Sequence, residues 1–352
     1  MRDRVKQVKS DNPFQSPNTQ ASDDDSLAAT VEAGSGATSN FKNGIVFALL
    51  AQSMWGLFPL YLKLLRPTPA INIVAHRIVW AFSFLILLTL IGSLSKWRSL
   101  PQWTELLKNI RDAKALRQLS IASVLIGINW LGFVMAIALG RAMDASVGYY
   151  ICPQFVVLLG VLFEKEQLSP LQWVAFAITS VGVLVMAASE AGLPWFGLLV
   201  AFSFGFYGLL KKRITCPAMT SLTFETGILF LPALGFLLSV GIWLAPDNAM
   251  APAVPWVSPT GLQLLLVATG IVTVVPLACH VTAVKRLPMS LVGMLQFLGP
   301  TIQFGLSLLV FGETLDRPRL IGIVLIWIGV AFFLRGAQQA RQQRVSTSST
   351  SS

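Results

Sequence analysis

The chain has 352 residues, of which 54% are apolar and 12% charged, against about 25% charged in a typical soluble domain. Its 26 basic and 16 acidic residues give a formal net charge of +10. So few charges, many of them gathered in the first 42 residues, exclude an ordinary soluble enzyme, a disordered chain and a disulfide-rich secreted domain, and point to a polytopic membrane protein. Cys152, Cys216 and Cys279 are odd in number and far apart, and the histidines are His76 and His280. This predicts no disulfide framework, no metal site and no cofactor.

Residues 1–40 are polar and lack the short apolar stretch of a signal peptide, so they read as a disordered tail that stays attached. Ten apolar segments follow: Gly44–Leu62, Ile71–Leu94, Leu119–Leu139, Met143–Phe163, Leu171–Ser189, Pro194–Leu210, Leu222–Leu244, Leu262–Val284, Ser290–Phe311 and Leu320–Leu334. About 20 residues of helix cross the hydrocarbon, and runs this apolar without strict alternation are helices, not barrel strands. Residues 336–352 form a second polar tail.

Two connections are long. Ser95–Gln118 carries six bases, with Trp103, Leu106, Leu107 and Ile110 at helical spacing. It reads either as an amphipathic helix on the bilayer surface or as a plain loop. Ala245–Gly261 is rich in Pro and has no Lys or Arg. With ten spans, sixteen bases fall on the side of the termini, among them Lys42, Lys165, Lys211, Lys212, Arg213, Lys285 and Arg286, and five on the other. The positive-inside rule then places both termini in the cytoplasm, and the +10 signals orientation, not nucleic-acid binding.

The second half echoes the first. Pro153, Glu166 and Gly182 recur at an offset of 147 residues as Pro300, Glu313 and Gly329, with Leu159, Leu162, Leu168 and Val183 matching Leu306, Leu309, Leu315 and Val330. This predicts two five-helix repeats, 44–189 and 194–335. Five spans per half give the halves opposite orientations, the inverted-repeat architecture of many secondary transporters.

Several stretches then take on a familiar pattern: Ala75-His76-Arg77-Ile78-Val79-Trp80, Leu125-Ile126-Gly127-Ile128-Asn129-Trp130, Ser146-Val147-Gly148-Tyr149-Tyr150, residues 201–208, residues 270–276, Gly299-Pro300-Thr301 and Gly312-Glu313. Over roughly residues 41–335 they resemble the RarD permease family, with its EamA-type repeats, within the drug/metabolite transporter superfamily. Lys165-Glu166 departs from the family's Gly-Glu. The resemblance implies a plasma (inner) membrane permease, with export as the expected direction.

Polar groups inside spans are expensive, so each is a candidate. Arg77 lies about 9 Å into the second span, and either binds an anionic substrate or forms a structural salt bridge. His76 beside it either moves a proton or packs. Glu225, about one turn into the seventh span, carries a coupling proton, closes a gate with a base, or reaches water. Asn129, Trp130, Tyr149, Tyr150, Gln154, Gln296 and Gln303 are candidate cavity residues, with interhelical hydrogen bonding as the alternative. Trp55 and Tyr207 are candidate aromatic walls. Pro153 and Pro300 are candidate hinges or static kinks. The leading expectation is a secondary transporter of a small organic solute working by alternating access, with the proton as coupling ion. The alternatives are a membrane enzyme acting on a lipid-linked substrate and a scaffold or channel subunit. No Walker-type phosphate loop is present, so ATP is not the expected driver.

Overall fold

The computed structural model describes residues 20–65, 68–95, 100–188, 193–243, 260–310, 312 and 317–350. The regular elements among them are all helices: α1 (Gln20–Leu64), α2 (Ala70–Ser95), α3 (Trp103–Arg111), α4 (Ala113–Ala138), α5 (Ala142–Phe163), α6 (Pro170–Ala187), α7 (Trp195–Arg213), α8 (Ala218–Trp243), α9 (Thr260–Arg286), α10 (Met289–Gln296), α11 (Leu298–Leu309) and α12 (Arg317–Thr350). The chain divides into residues 1–42 and 43–352. In the first unit the backbone is helical from Gln20, where a disordered tail is expected from the sequence. All that follows concerns the second unit.

Nine segments among the described residues are long and apolar enough to cross a membrane, α10 and α11 counting together as Met289–Leu309. The expected sixth span, α7, is not among them, because its last turn carries Lys211, Lys212 and Arg213. The Pro-rich connection falls mostly outside the described residues. The expected polar C-terminal tail continues α12 as helix to Thr350.

Local signals start the helices where the sequence offers them. Asp112 accepts the backbone N–H groups of Lys114 and Ala115 at the head of α4. Ser169 and Gln172 form a capping box on α6, with Pro170 in its first turn. The 95–118 connection contains a helix, α3, with Leu106 buried and Trp103, Leu107 and Ile110 exposed. An exposed apolar face beside basic residues suits a helix lying on the bilayer surface. Thr220 of α8 donates to Glu105 Oε2 at 3.1 Å and holds α3 against the bundle.

The repeat is visible in the packing. α1, α2, α4, α5 and α6 correspond in order to α7, α8, α9, α10–α11 and α12. Three corresponding pairs touch directly: α2 with α8, α5 with α10 and α6 with α12. At the last pair no side chain separates the backbones. A Cβ on Gly182 would stand 2.7 Å from the Gly322 carbonyl oxygen, and one on its repeat counterpart Gly329 would stand 2.8 Å from the Ala175 carbonyl oxygen. The same offset of 147 relates two hydrogen bonds. Ser180 donates to Gln154 Oε1 at 3.3 Å, and Trp327, the counterpart of Ser180, donates to Thr301, the counterpart of Gln154, at 3.1 Å.

The repeats differ in their fourth helix. α5 runs through Pro153 unbroken, whereas α10 gives way to α11 at Phe297, three residues before Pro300. Pro300 has no N–H to offer the Gln296 carbonyl, which loosens the turn there. The head of α10 is held from the other repeat. Glu166 accepts the backbone N–H groups of Met289 at 2.5 Å and Ser290 at 2.9 Å, placing a carboxylate at the positive end of the helix. Its counterpart Glu313 lies outside the described residues.

Candidate binding cavity

A cavity of about 340 Å³ lies within the bundle, lined from both repeats by α1, α2, α4, α5, α7, α9, α10 and α11. This is near the lower end of the range typical of small-molecule sites, about 300–1,000 Å³. Arg77, Asn129, Trp130, Tyr149, Gln296, Gln303, Trp55, Pro153 and Pro300, all expected from the sequence, line it. Sequence reasoning missed Gln52, Phe58, Phe133, Cys152, Phe204 and Thr273, which line it too.

Among the described lining residues Arg77 carries the one formal charge, and none is Asp or Glu. Its Nε donates to Thr273 Oγ1 at 3.0 Å. Its guanidinium lies 4.9 Å from the centre of the Phe58 ring and 5.2 Å from that of Trp130, distances at which a cation is attracted to a π face. The salt-bridge alternative for Arg77 finds no carboxylate partner among the described residues.

The surrounding polar groups are fixed by bonds to other helices. Asn129 Nδ2 donates to the Val200 carbonyl at 2.9 Å and to Ser203 Oγ at 3.2 Å. Gln303 Nε2 donates to the Trp55 carbonyl at 3.1 Å and ties α11 to α1. Trp55 meets Phe204 edge-on with ring centres 5.6 Å apart, and Phe133 meets Tyr149 at 5.9 Å.

Five expected residues lie elsewhere. Tyr150 donates to the Pro300 carbonyl at 3.2 Å, and Gln154 joins α5 to α6 through Ser180. Both make interhelical bonds and neither lines the cavity. His76 is buried on another face of α2 from Arg77, its Nδ1 accepting from Trp80 at 3.3 Å. Tyr207 is fully buried and Phe204, one turn earlier, takes the wall position expected of it. Glu225 is buried in a separate polar cluster between α7 and α8.

That cluster is compact. Glu225 Oε1 pairs with Lys211 Nζ at 2.5 Å and accepts from Ser221 at 2.8 Å, while Oε2 accepts from Tyr207 at 3.0 Å. Lys211 also bonds Ser221. Lys211 is 0% exposed and Glu225 1% exposed. Lys211, counted among the loop bases that orient the chain, is therefore an internal residue. Its neighbours also turn inward: Lys212 donates to the Leu287 carbonyl at 2.6 Å, and Lys285 donates to the Cys216 carbonyl.

Two consecutive segments, residues 42–188 and 192–335, each match the model of the EamA-like transporter family. The chain belongs to the EamA-like transporter family. It is thus a multi-pass, all-helical membrane protein built from two EamA repeats, of the drug/metabolite transporter superfamily. It is 39% identical over 297 residues to the uncharacterized transporter PA0485 of Pseudomonas aeruginosa, covering 84% of this chain and 95% of that protein. It is 36% identical over 304 residues to the protein RarD of Streptomyces exfoliatus, covering 85% and 92%. The resemblance to RarD proteins read from the sequence is thereby confirmed. A crystal structure of a protein 17% identical in sequence superposes with a TM-score of 0.62 over 82% of this chain and 96% of that one, which supports the fold alone.

Proposed function

We propose that the protein is a secondary transporter that moves a small organic solute by alternating access, in the direction of export, and that it is not an enzyme. The observation that carries this reading is one cavity lined from both repeats, with the matched prolines Pro153 and Pro300 in its wall. In the proposed arrangement α7 is a tenth span, and its basic end lies at the cytoplasmic face with both termini. Five spans per repeat then run in opposite senses, which gives two near-equivalent conformations around a central site. Arg77, Asn129, Trp130, Tyr149, Gln296, Gln303 and Trp55 contact the solute. Pro153 and Pro300 are the flexible points.

The proton is the proposed coupling ion, and Glu225 its carrier. Glu225 is held by Lys211, Tyr207 and Ser221, and protonation of the carboxylate would release the lysine. Uptake in right-side-out and inside-out vesicles tests the function. Accumulation against a gradient, collapsing with the proton gradient, is the expected result. Failure of any solute in an amino-acid, nucleoside and antibiotic panel to move against its gradient would remove the carrier reading. Labelling of a cysteine introduced at Ser348 tests the orientation, since reaction from outside intact cells would reverse it.

A further inference from the structure

We infer that the cavity selects a small planar aromatic solute bearing a single carboxylate-type negative charge, which Arg77 binds between aromatic walls. The inference rests on the transport reading for its location and adds the chemistry of the solute.

The argument starts from the charge balance of the site. Among the described residues that line the cavity, Arg77 is the only one with a formal charge, and none is Asp or Glu. A charge taken out of water is costly unless paired and hydrogen-bonded. Within the protein Arg77 gains two π faces and one hydrogen bond, from Nε to Thr273. A guanidinium has five N–H donors. The four on its terminal nitrogens have no acceptor among the described residues. These donors form the flat fork that matches two oxygens of a carboxylate side by side. The Thr273 bond and the Phe58 and Trp130 rings fix the fork in advance, so binding an anion orders little that is not already ordered.

The walls specify the rest of the solute. Trp55, Phe58, Trp130, Phe133, Tyr149 and Phe204 line the same cavity as the fork, and ring-to-ring packing holds Trp55 against Phe204 and Phe133 against Tyr149. Faces and edges of this kind reward a flat π system by about 0.5–1.5 kcal/mol per pair beyond buried area. A cavity of about 340 Å³ accommodates one or two fused rings. The same inventory discriminates against two other classes. A cationic solute would meet Arg77 with no carboxylate among the described lining residues to offset it. A zwitterion would satisfy the arginine but bring an ammonium group with no ionic partner among those residues.

Four probes of similar size separate these classes on the purified full chain by titration calorimetry: 2-naphthoate, 2-naphthamide, 2-naphthylmethylammonium and decahydronaphthalene-2-carboxylate. Naphthoate is expected to bind about tenfold or more tightly than the amide and than the non-aromatic anion, and the ammonium compound is expected not to displace it. Arg77→Gln is expected to abolish the preference for naphthoate over naphthamide. Equal binding of amide and naphthoate, tighter binding of the ammonium probe, a preference unchanged in Arg77→Gln, or no binding of any probe would each overturn the inference. If Arg77→Gln does not fold, the four-probe comparison on the unaltered chain decides. Proteoliposomes separate this inference from the transport reading. Naphthoate preference without any flux leaves the solute class standing and removes the carrier. Saturable flux of a cationic or neutral solute, unaffected by naphthoate, keeps the carrier and overturns the class.

Discussion

Lys165 and Gly312, 147 residues apart and equivalent in the two repeats, share a left-handed backbone, with φ of 54° and 68°. The sequence departs from the Gly-Glu pattern at Lys165, yet the turn keeps the geometry that glycine serves in the other repeat. A side chain in this region costs roughly 1–2 kcal/mol. Lys165 is exposed, so its side chain reaches solvent without a clash. Lys165→Gly is expected to raise stability by up to about 1 kcal/mol, less than the full strain because glycine is more flexible when unfolded. Gly312→Ala is expected to cost about 1 kcal/mol from strain alone, since a Cβ there meets nothing within 4 Å. Thermal unfolding in detergent measures both. A loss of stability in Lys165→Gly would show that the lysine itself holds the turn.

The Lys211–Glu225 pair makes a different prediction, because its members are useful only together. Removing one partner of a buried ion pair typically costs about 3–5 kcal/mol, whereas replacing both with apolar residues is often neutral. Lys211→Met and Glu225→Leu are each expected to be strongly destabilising, and the double variant to recover most of the loss. Tyr207 and Ser221 keep their hydroxyls in all three, so recovery will be incomplete. Additive losses in the unfolding cycle would contradict the pairing. If Glu225 is the proton carrier, the double variant will be folded but insensitive to a proton gradient.

Gln154 provides a test of where the site ends. Its bond with Ser180 matches the Thr301–Trp327 bond of the other repeat, and it does not line the cavity. Ser180→Ala is expected to cost about 1 kcal/mol of stability with solute affinity unchanged. Gln303→Leu, in the cavity wall, is expected to alter affinity. An affinity change in Ser180→Ala of the same size would extend the site to α6.

Cys216 lies between α7 and α8, buried beside Lys285. Burial pushes its thiol up from 9.0 to about 11, against the opposing pull of Lys211 and Lys285. The thiolate is the reactive form, so maleimide labelling is expected to be slow at pH 7.5 and to rise about tenfold per pH unit until it levels off near pH 11. The raised value means that the folded state holds the proton more tightly than the unfolded chain. The associated stability is complete below about pH 9 and is lost as pH rises from 9 toward 11. Fast labelling at pH 7.5 in the folded protein would show that the α7–α8 junction opens to water.

Much of the fold was legible because hydrocarbon leaves few options. Long apolar runs had to be helices, and the Pro-Glu-Gly spacing exposed the repeat. The site was less legible for a related reason. In a soluble helix the polar face marks the outside, but in a membrane bundle the lipid-facing and interior faces are both apolar. Sequence therefore could not say that Phe204 faces the cavity and Tyr207, one turn on, does not. Arg77 and Asn129 stood out because their polarity needed a reason at that depth. Lys211 misled because a lysine following a span reads as a loop base, and only the approach of Glu225 from α8 shows it to be internal. The mismatch between α7 and its expected span has the same origin. Phe58 and Phe133 carried no signal that separates them from the many aromatics facing lipid.

The glycine contact between α6 and α12 joins a surface to its own counterpart in the other repeat. These helices hold the same place in their repeats, and the matched residues Gly182 and Gly329 both sit at the seam. A surface that meets its own counterpart is what a two-fold symmetric dimer requires. The seam therefore has the form of a two-fold symmetric subunit interface contained within one chain. Two separately translated halves, divided at residues 189–192, retain that self-complementary surface and have the means to reassemble.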